Sequence, residues 1–248
     1  MANYENQPRY GTTVARGEAG VIDAGLRAHM IRVYNYMTIG LVLTGAVAWA
    51  VANTALGSIF FQATVQGYSL SALGWIALIA PLGLVMWMSF GIQRMSVGTA
   101  QIVFWGYAAL MGVSLAPILL IYTGASVAKV FFISAAAFGG LSLWGYTTSR
   151  DLTGWGSFLF MGLIGILIAM VVNIFLGSPA VDFAISVIGV LVFSGLTAYD
   201  TQKIKEMYYV GDDGSVAGRK AIMGALSLYL DFINLFLMLL RLFGNSRN

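Results

Sequence analysis

Seven apolar runs, each about 20 residues long, leave this chain few architectures. They lie near Met30–Asn53, Leu73–Gln93, Gly98–Tyr122, Val127–Thr147, Trp155–Leu176, Val181–Gln202 and Ala221–Phe243. At about 1.5 Å of rise per residue, each reaches across a hydrocarbon core roughly 30 Å thick. No water is present in that core to bond a peptide group, so a helix that satisfies its own backbone is the form these runs take. Charged residues make up 9% of the chain and hydrophobic ones 59%, whereas charged residues are about a quarter of a soluble domain. The expected fold is an all-α membrane protein, a bundle of seven transmembrane helices.

The same composition narrows the chemistry. There is no cysteine, which removes disulfides, thiol nucleophiles and thiolate metal sites. His29 is the single histidine, too few for a histidine-built zinc or iron centre. The net charge of +3 comes from basic residues scattered singly at span ends, which reflects membrane topology and offers no nucleic-acid surface. Residues 1–28 are polar and read as a cytoplasmic tail, residues 29–244 as one seven-helix domain, and residues 245–248 as a short C-terminal tail. Pro81 removes a backbone bond inside the second run and is expected to kink it. Thirty glycines, among them Gly139, Gly140, Gly162 and Gly165, are expected to let helix backbones approach closely.

Orientation follows from the basic residues. With the N-terminus inside, Arg9, Arg16, Arg27, Arg32, Arg94, Arg150, Lys203, Lys205, Arg219 and Lys220 fall on the inner side, and Lys129, Arg241 and Arg247 on the outer. Ten against three fits the positive-inside rule, provided the seventh run crosses completely. If that run dips in and returns, the C-terminus is inside and the bias is larger.

The few acids within spans carry the functional signal, because a charge at that depth is costly and faces protein or water. Asp231 sits near the middle of the last run. Gly224, Ser227, Asp231, Asn234 and Arg241 follow one helical stripe, so that helix carries a polar seam. Asp200 lies in the last turn of the sixth run, where the negative end of the helix dipole calls for a compensating group. Lys203 is one helical step away, Arg94 ends the second run at the same depth, and Asp231 is a third candidate partner. Carboxylates sharing a poorly hydrated pocket resist their second ionisation. Spacing permits an Asp200–Asp231 pair only if the sixth helix runs further, or the seventh begins later, than the apolar boundaries indicate. His29 reads as interfacial, Arg150 and Asp151 as anchors between the fourth and fifth helices, Asp182 as a residue favoured by the dipole at the start of the sixth, and Asp212-Asp213-Gly214 as a turn.

Two motifs bring in a family. Phe193 to Gln202 reads F-x-x-L-x-A-Y-D-T-Q, and Ala225 to Arg241 reads A-L-S-L-Y-L-D-F-I-N-L-F-x-x-L-L-R. With RVYNYMTIGL, GVSLAPI and TTSRDLTGWGSFL, they make the chain resemble, from about Arg27 to Gly244, the transmembrane Bax inhibitor motif family, also called the Bax inhibitor-1 family, in its bacterial form. The resemblance implies a last helix enclosed by the other six, and a pH-sensitive calcium leak. It implies a proton-sensing aspartate pair, here Asp200 and Asp231, latched by an arginine, here Arg94. Some bacterial relatives carry a glutamate in the second span, whereas this chain has no acid from Leu73 to Gln93.

Three functional classes follow. A proton-gated leak would pass calcium near Asp231, with weak ligation by Asp231 and Asp200 and with Asn234, Ser227 and Tyr229 as candidate pore-lining groups. Calcium is then the transported ion, and no resident cofactor is expected. An intramembrane aspartyl protease would also use two aspartates, but the Leu228-Tyr229-Leu230-Asp231 context is bulky and helical where such enzymes have an open Gly-x-Gly-Asp loop. The chain is expected not to be an enzyme. A non-conducting regulator of cell-death or membrane-protease pathways, working through a membrane-protein partner, is the alternative. The expected location is a bacterial inner membrane.

Overall fold

The computed structural model describes residues 10–64 and 67–247, with side chains over 24–62 and 69–247. Its helices are α1 (Tyr10–Asn53), α2 (Gly57–Phe60), α3 (Ala72–Gly91), α4 (Val97–Ile121), α5 (Gly124–Thr147), α6 (Thr153–Leu176), α7 (Pro179–Glu206) and α8 (Gly214–Phe243), and its strands are β1 (Phe61–Thr64) and β2 (Gly67–Leu70). Among the described residues seven helices, all but α2, are long and apolar enough to cross a membrane. The polar stretch expected as a tail over residues 1–28 is helical from Tyr10 onward; residues 1–9 of it lie outside the described residues. Between α2 and α3 the chain forms a short antiparallel ladder, with Phe61 opposite Leu70 and Gln62 opposite Ser69, which hydropathy alone does not show.

Hydroxyl and carboxylate caps set where the spans begin. The side chains of Ser71, Ser96, Thr123 and Ser178 each accept a hydrogen bond from the backbone N–H three residues on, satisfying donors that the first turn of a helix leaves free. Asp213 does the same for α8, accepting from Ser215 and Val216 at 2.8 Å. These bonds, the Ser215 hydroxyl first, hold its carboxyl below the usual carboxylate range. Asp212 instead pairs with Lys220 at 2.5 Å, so the expected turn ties the α7–α8 connection to α8. Asp182 lies in the first turn of α7 as expected and also pairs with Arg241 at 3.1 Å.

α8 is the most buried helix. Its most apolar stretch is 72% buried, against 39% or less in the other spans, and no residue from Ala221 to Leu240 is exposed. It packs chiefly on α7, α1, α5 and α4, while α3 packs on α4 and α6 on α7. The ion pair of Arg241 with the start of α7 places the end of α8 on the face opposite Arg219 and Lys220. The seventh run is therefore part of one continuous 30-residue helix, long and apolar enough to cross without turning back.

Close approaches occur at glycines other than those singled out by sequence. A Cβ on Gly145 would meet the Ala198 carbonyl oxygen at 2.3 Å, so α5 and α7 touch backbone to backbone there. A Cβ on Gly112 would meet the Thr44 oxygen at 2.6 Å, which joins α4 to α1 in the same way. Gly139, Gly140 and Gly165 face open space, and of the four expected contacts only Gly162 meets a neighbour, Val192. Glycine frequency does not say which side of a span faces protein.

Pro81, where a kink is expected, lies inside α3. α3 runs through it without a break. Proline has no N–H, so the Ala77 carbonyl loses its helical donor; the Ser114 hydroxyl of α4 reaches that oxygen at 2.7 Å. A neighbouring helix has replaced the missing bond, the usual condition for proline inside a membrane helix. Ser114→Ala is expected to destabilise the protein by about 1 kcal/mol. The loss should shrink in a Pro81→Ala background, where Ala77 regains its own donor; thermal midpoints of the four proteins in one detergent measure both effects.

Candidate functional site

The site is built where α7 and α8 run antiparallel. Gly224 sits against Ile204, since a Cβ there would meet its side chain at 3.1 Å. From that level Asp200 is four residues deeper and Asp231 seven, a difference of about 4.5 Å. Side chains in a helix tilt toward its own N-terminus. Asp200 on α7 therefore reaches deeper into the bundle, and Asp231 on α8 reaches back, so the two carboxyl groups converge. The two groups are close enough for each to act on the other. The condition left open by spacing is met on the α7 side, which continues as helix to Glu206.

Asp231 is 5% exposed, and its Oδ2 is buried without a hydrogen-bond partner. Asp200 is half-buried. An ionised carboxylate only accepts, so two of them bond to each other only when one carries a proton and donates it. The cation whose charge acts on Asp200 is Lys203, which is exposed with its ammonium 5.9 Å from the Tyr199 ring. The two make no ion pair among the described residues. Arg94 ends a short 3₁₀ turn at Ile92–Arg94 that touches α3 and α8. It is exposed and likewise takes part in no ion pair among the described residues. The structure thus brings the aspartates together and leaves Arg94 apart from them.

The three candidate pore-lining residues are placed as follows. Asn234 donates to the Leu230 carbonyl of its own helix at 2.8 Å. Ser227 is half-buried. Tyr229 is fully buried, its ring edge-on to Tyr107 at 5.5 Å and Phe104 at 6.2 Å. Its hydroxyl bonds Thr44 Oγ1 at 2.7 Å, and that oxygen also lies 2.9 Å from the Gly40 carbonyl and 2.8 Å from the Ala108 carbonyl. Thr44 is therefore the polar joint of α1, α4 and α8.

Sequence reasoning missed this joint, because a lone threonine in a span has no signature. It also missed a hydroxyl chain beside the aspartates, in which Tyr34 Oη meets Ser142 Oγ at 2.6 Å and Ser142 Oγ meets Thr201 Oγ1 at 2.8 Å. Thr201 and Gln202 follow Asp200 directly, so the A-Y-D-T-Q motif held the missing signal. Gln202 clamps the α5–α6 connection, accepting from Leu152 N at 2.7 Å and donating to the Arg150 carbonyl at 2.8 Å. Asp151 accepts from Thr153 N at 2.8 Å at the start of α6, and the Thr153 contacts keep its carboxyl below the usual range. His29, expected at the interface, is buried against Tyr208 beyond the end of α7, its ring 5.9 Å from that of Tyr208 and its Nε2 unpartnered. Among the described residues no three His, Cys, Asp or Glu side chains gather to hold a metal ion.

Seven spans around a buried acidic pair define a polytopic α-helical membrane protein. The chain belongs to the Bax inhibitor-1 family: the family described as inhibitor of apoptosis-promoting Bax1 matches residues 26–248. It is 50% identical over 227 residues to inner membrane protein YbhL of Escherichia coli K12, covering 90% of this chain and 94% of YbhL. A protein of Rickettsia prowazekii is 48% identical over 237 residues, covering 96% of this chain and 97% of its own. One from Caulobacter vibrioides is 49% identical over 231 residues, at 91% and 92% coverage. The apolar helices and the likeness to YbhL support a multi-pass protein of a bacterial inner membrane.

Replacing Thr44 by valine keeps its shape and strands the Tyr229 hydroxyl, at an expected cost of about 1–2 kcal/mol. In a Tyr229→Phe background the same change should cost less; a double-mutant cycle of unfolding in detergent reads the difference.

Proposed function

We propose that this protein is a pH-sensitive calcium leak channel, gated by protonation of the Asp200–Asp231 pair with Arg94 as its latch. The observation that carries the reading is the meeting of these two carboxyl groups, one of them fully within the most buried helix. An acid at that depth is costly and most often marks an ion or proton path. Burial and a like charge together make such a pair responsive to protons.

In the proposed cycle, ionisation of both acids draws Arg94 toward them and closes the path. Acid supplies a shared proton, the attraction on Arg94 falls, and the arginine is released toward solvent. Lys203 is the cation whose charge reaches Asp200, and Arg94 sits on the turn after α3 that packs on α8. α3 is the moving part in this reading: only four of its residues are buried, and it packs chiefly on α4. Calcium prefers several oxygens, and two carboxylates with hydroxyl groups suit weak transit better than tight retention. Toward the far face α8 carries Leu235, Met238 and Leu239, all buried, which supports a path sealed at that end until the bundle loosens. The N-terminus is placed in the cytoplasm, so that Arg27, Arg94, Arg150, Lys205, Arg219 and Lys220 lie inside. α8, without an exposed residue over its central 20 positions, acts as the axis that the other helices surround.

The test is calcium influx into liposomes holding an internal dye, stepped from alkaline to acid pH, with protein-free liposomes as baseline. Wild type should conduct more as pH falls. Arg94→Ala and Asp200→Asn should conduct without that dependence, and Asp231→Asn should conduct less. Folded protein that passes no calcium above baseline at any pH would sink the channel reading and favour the non-conducting regulatory protein.

A further inference from the structure

The bundle is not closed all the way round. α1 and α5 both pack on α8 but make little contact with each other. Between them lies a cavity of about 700 Å³ that opens sideways, where the lipid would be. Its floor is Phe232 of α8, and its walls include Met37, Leu41, Phe131, Ala135 and Gly139. A smaller cavity of about 130 Å³ shares Leu41, Phe131 and Phe232 and continues the groove toward the far face.

The groove is polar at one end only. Arg27 stands at its mouth and Tyr146 opposite. Lys205 stands next to Tyr146 without itself lining the cavity, its Nζ donating to the Tyr146 carbonyl at 2.9 Å and lying 5.3 Å from the Tyr146 ring. An ammonium has three protons, so two remain for another acceptor. Just inside come the hydroxyls of Tyr34 and Ser142, bonded to each other across the groove. Beyond them the walls are hydrocarbon except for Thr38 and, in the smaller cavity, Thr44. From Arg27 to Leu41 is fourteen residues of α1, about 21 Å, which matches one leaflet of hydrocarbon, about 15 Å, with its headgroup layer.

We infer that this groove is a binding site for an anionic phospholipid, with one acyl chain on Phe232 and the phosphate at Arg27 and Lys205. Cations at the mouth, hydroxyls at glycerol depth and an apolar slot of leaflet length fit an amphiphile with a negative head. A zwitterionic lipid offers the same phosphate, but its own ammonium charge offsets the attraction of the two cations. The site is separate from the aspartate pair and does not depend on ion conduction. Ser142 nevertheless bonds Thr201, the neighbour of Asp200, so the two sites share a hydroxyl chain.

Native mass spectrometry of the full chain, from micelles holding equal phosphatidylglycerol and phosphatidylcholine, tests the site. Wild type should retain one phosphatidylglycerol, preferred by about fivefold for each cation that meets the head. Arg27→Glu should keep bound lipid but lose the preference. Gly139→Leu should fill the slot and expel the lipid, and since a Cβ at Gly139 meets nothing within 4 Å, the fold should be unaffected. Gly165→Leu, which also points into open space on α6, should bind as wild type does. Three results would overturn the inference: no headgroup preference in wild type, equal lipid on Gly139→Leu, or a dimer that Gly139→Leu abolishes, which would make a second copy the occupant. Should Gly139→Leu fail to fold, Arg27→Glu decides by headgroup preference alone.

Discussion

A carboxyl group in the middle of the most buried helix is the constraint around which the rest of the bundle is arranged. Asp231 cannot face lipid, and α8 offers it no exposed side. Its solution is a second acid from the adjacent antiparallel helix, reached because the two side chains lean toward each other along opposite helix directions. Two bare carboxylates have no hydrogen to share, so a bond between them requires a proton on one.

The surrounding helices meet the same demand for satisfied polar groups by smaller means. Ser114 supplies the bond that Pro81 removes, and Thr44 joins carbonyls of two helices to the Tyr229 hydroxyl of a third. In lipid these bonds are individually modest, near or below 1 kcal/mol, but hydrocarbon gives little separate drive for helices to associate. Close backbone contact at Gly112 and Gly145 supplies the packing that such bonds orient.

Unequal burial divides the bundle into a fixed part and looser parts. α1, α4, α5, α7 and α8 share the central contacts, while α3 and α6 lie outside, each mainly on one neighbour. The gap between α1 and α5 opens the centre sideways to lipid, and α3 stands at the periphery with Arg94 following its end. A bundle built this way can move an outer helix without dismantling the packing of α8.

Much of this was legible in the residues. Runs of apolar sequence must be helical in a membrane, so the seven spans could be read, although α1 begins at Tyr10 and α8 at Gly214, well ahead of their apolar runs, and the rarity of charge singled out Asp200, Asp231 and Arg94. Spacing could not decide whether Asp200 met Asp231, Lys203 or Arg94, because depth depends on how far a helix continues beyond its apolar part and on how it registers with its neighbour. Gly139 and Gly145 are alike in sequence, yet one faces an open groove and the other an opposing backbone, and His29 is buried despite its place at the edge of the first run. Hydropathy is a property of each segment and determined which segments enter the membrane. Which faces meet, which carboxyl groups converge and where the bundle stays open belong to pairs of helices, and only their packing decided them.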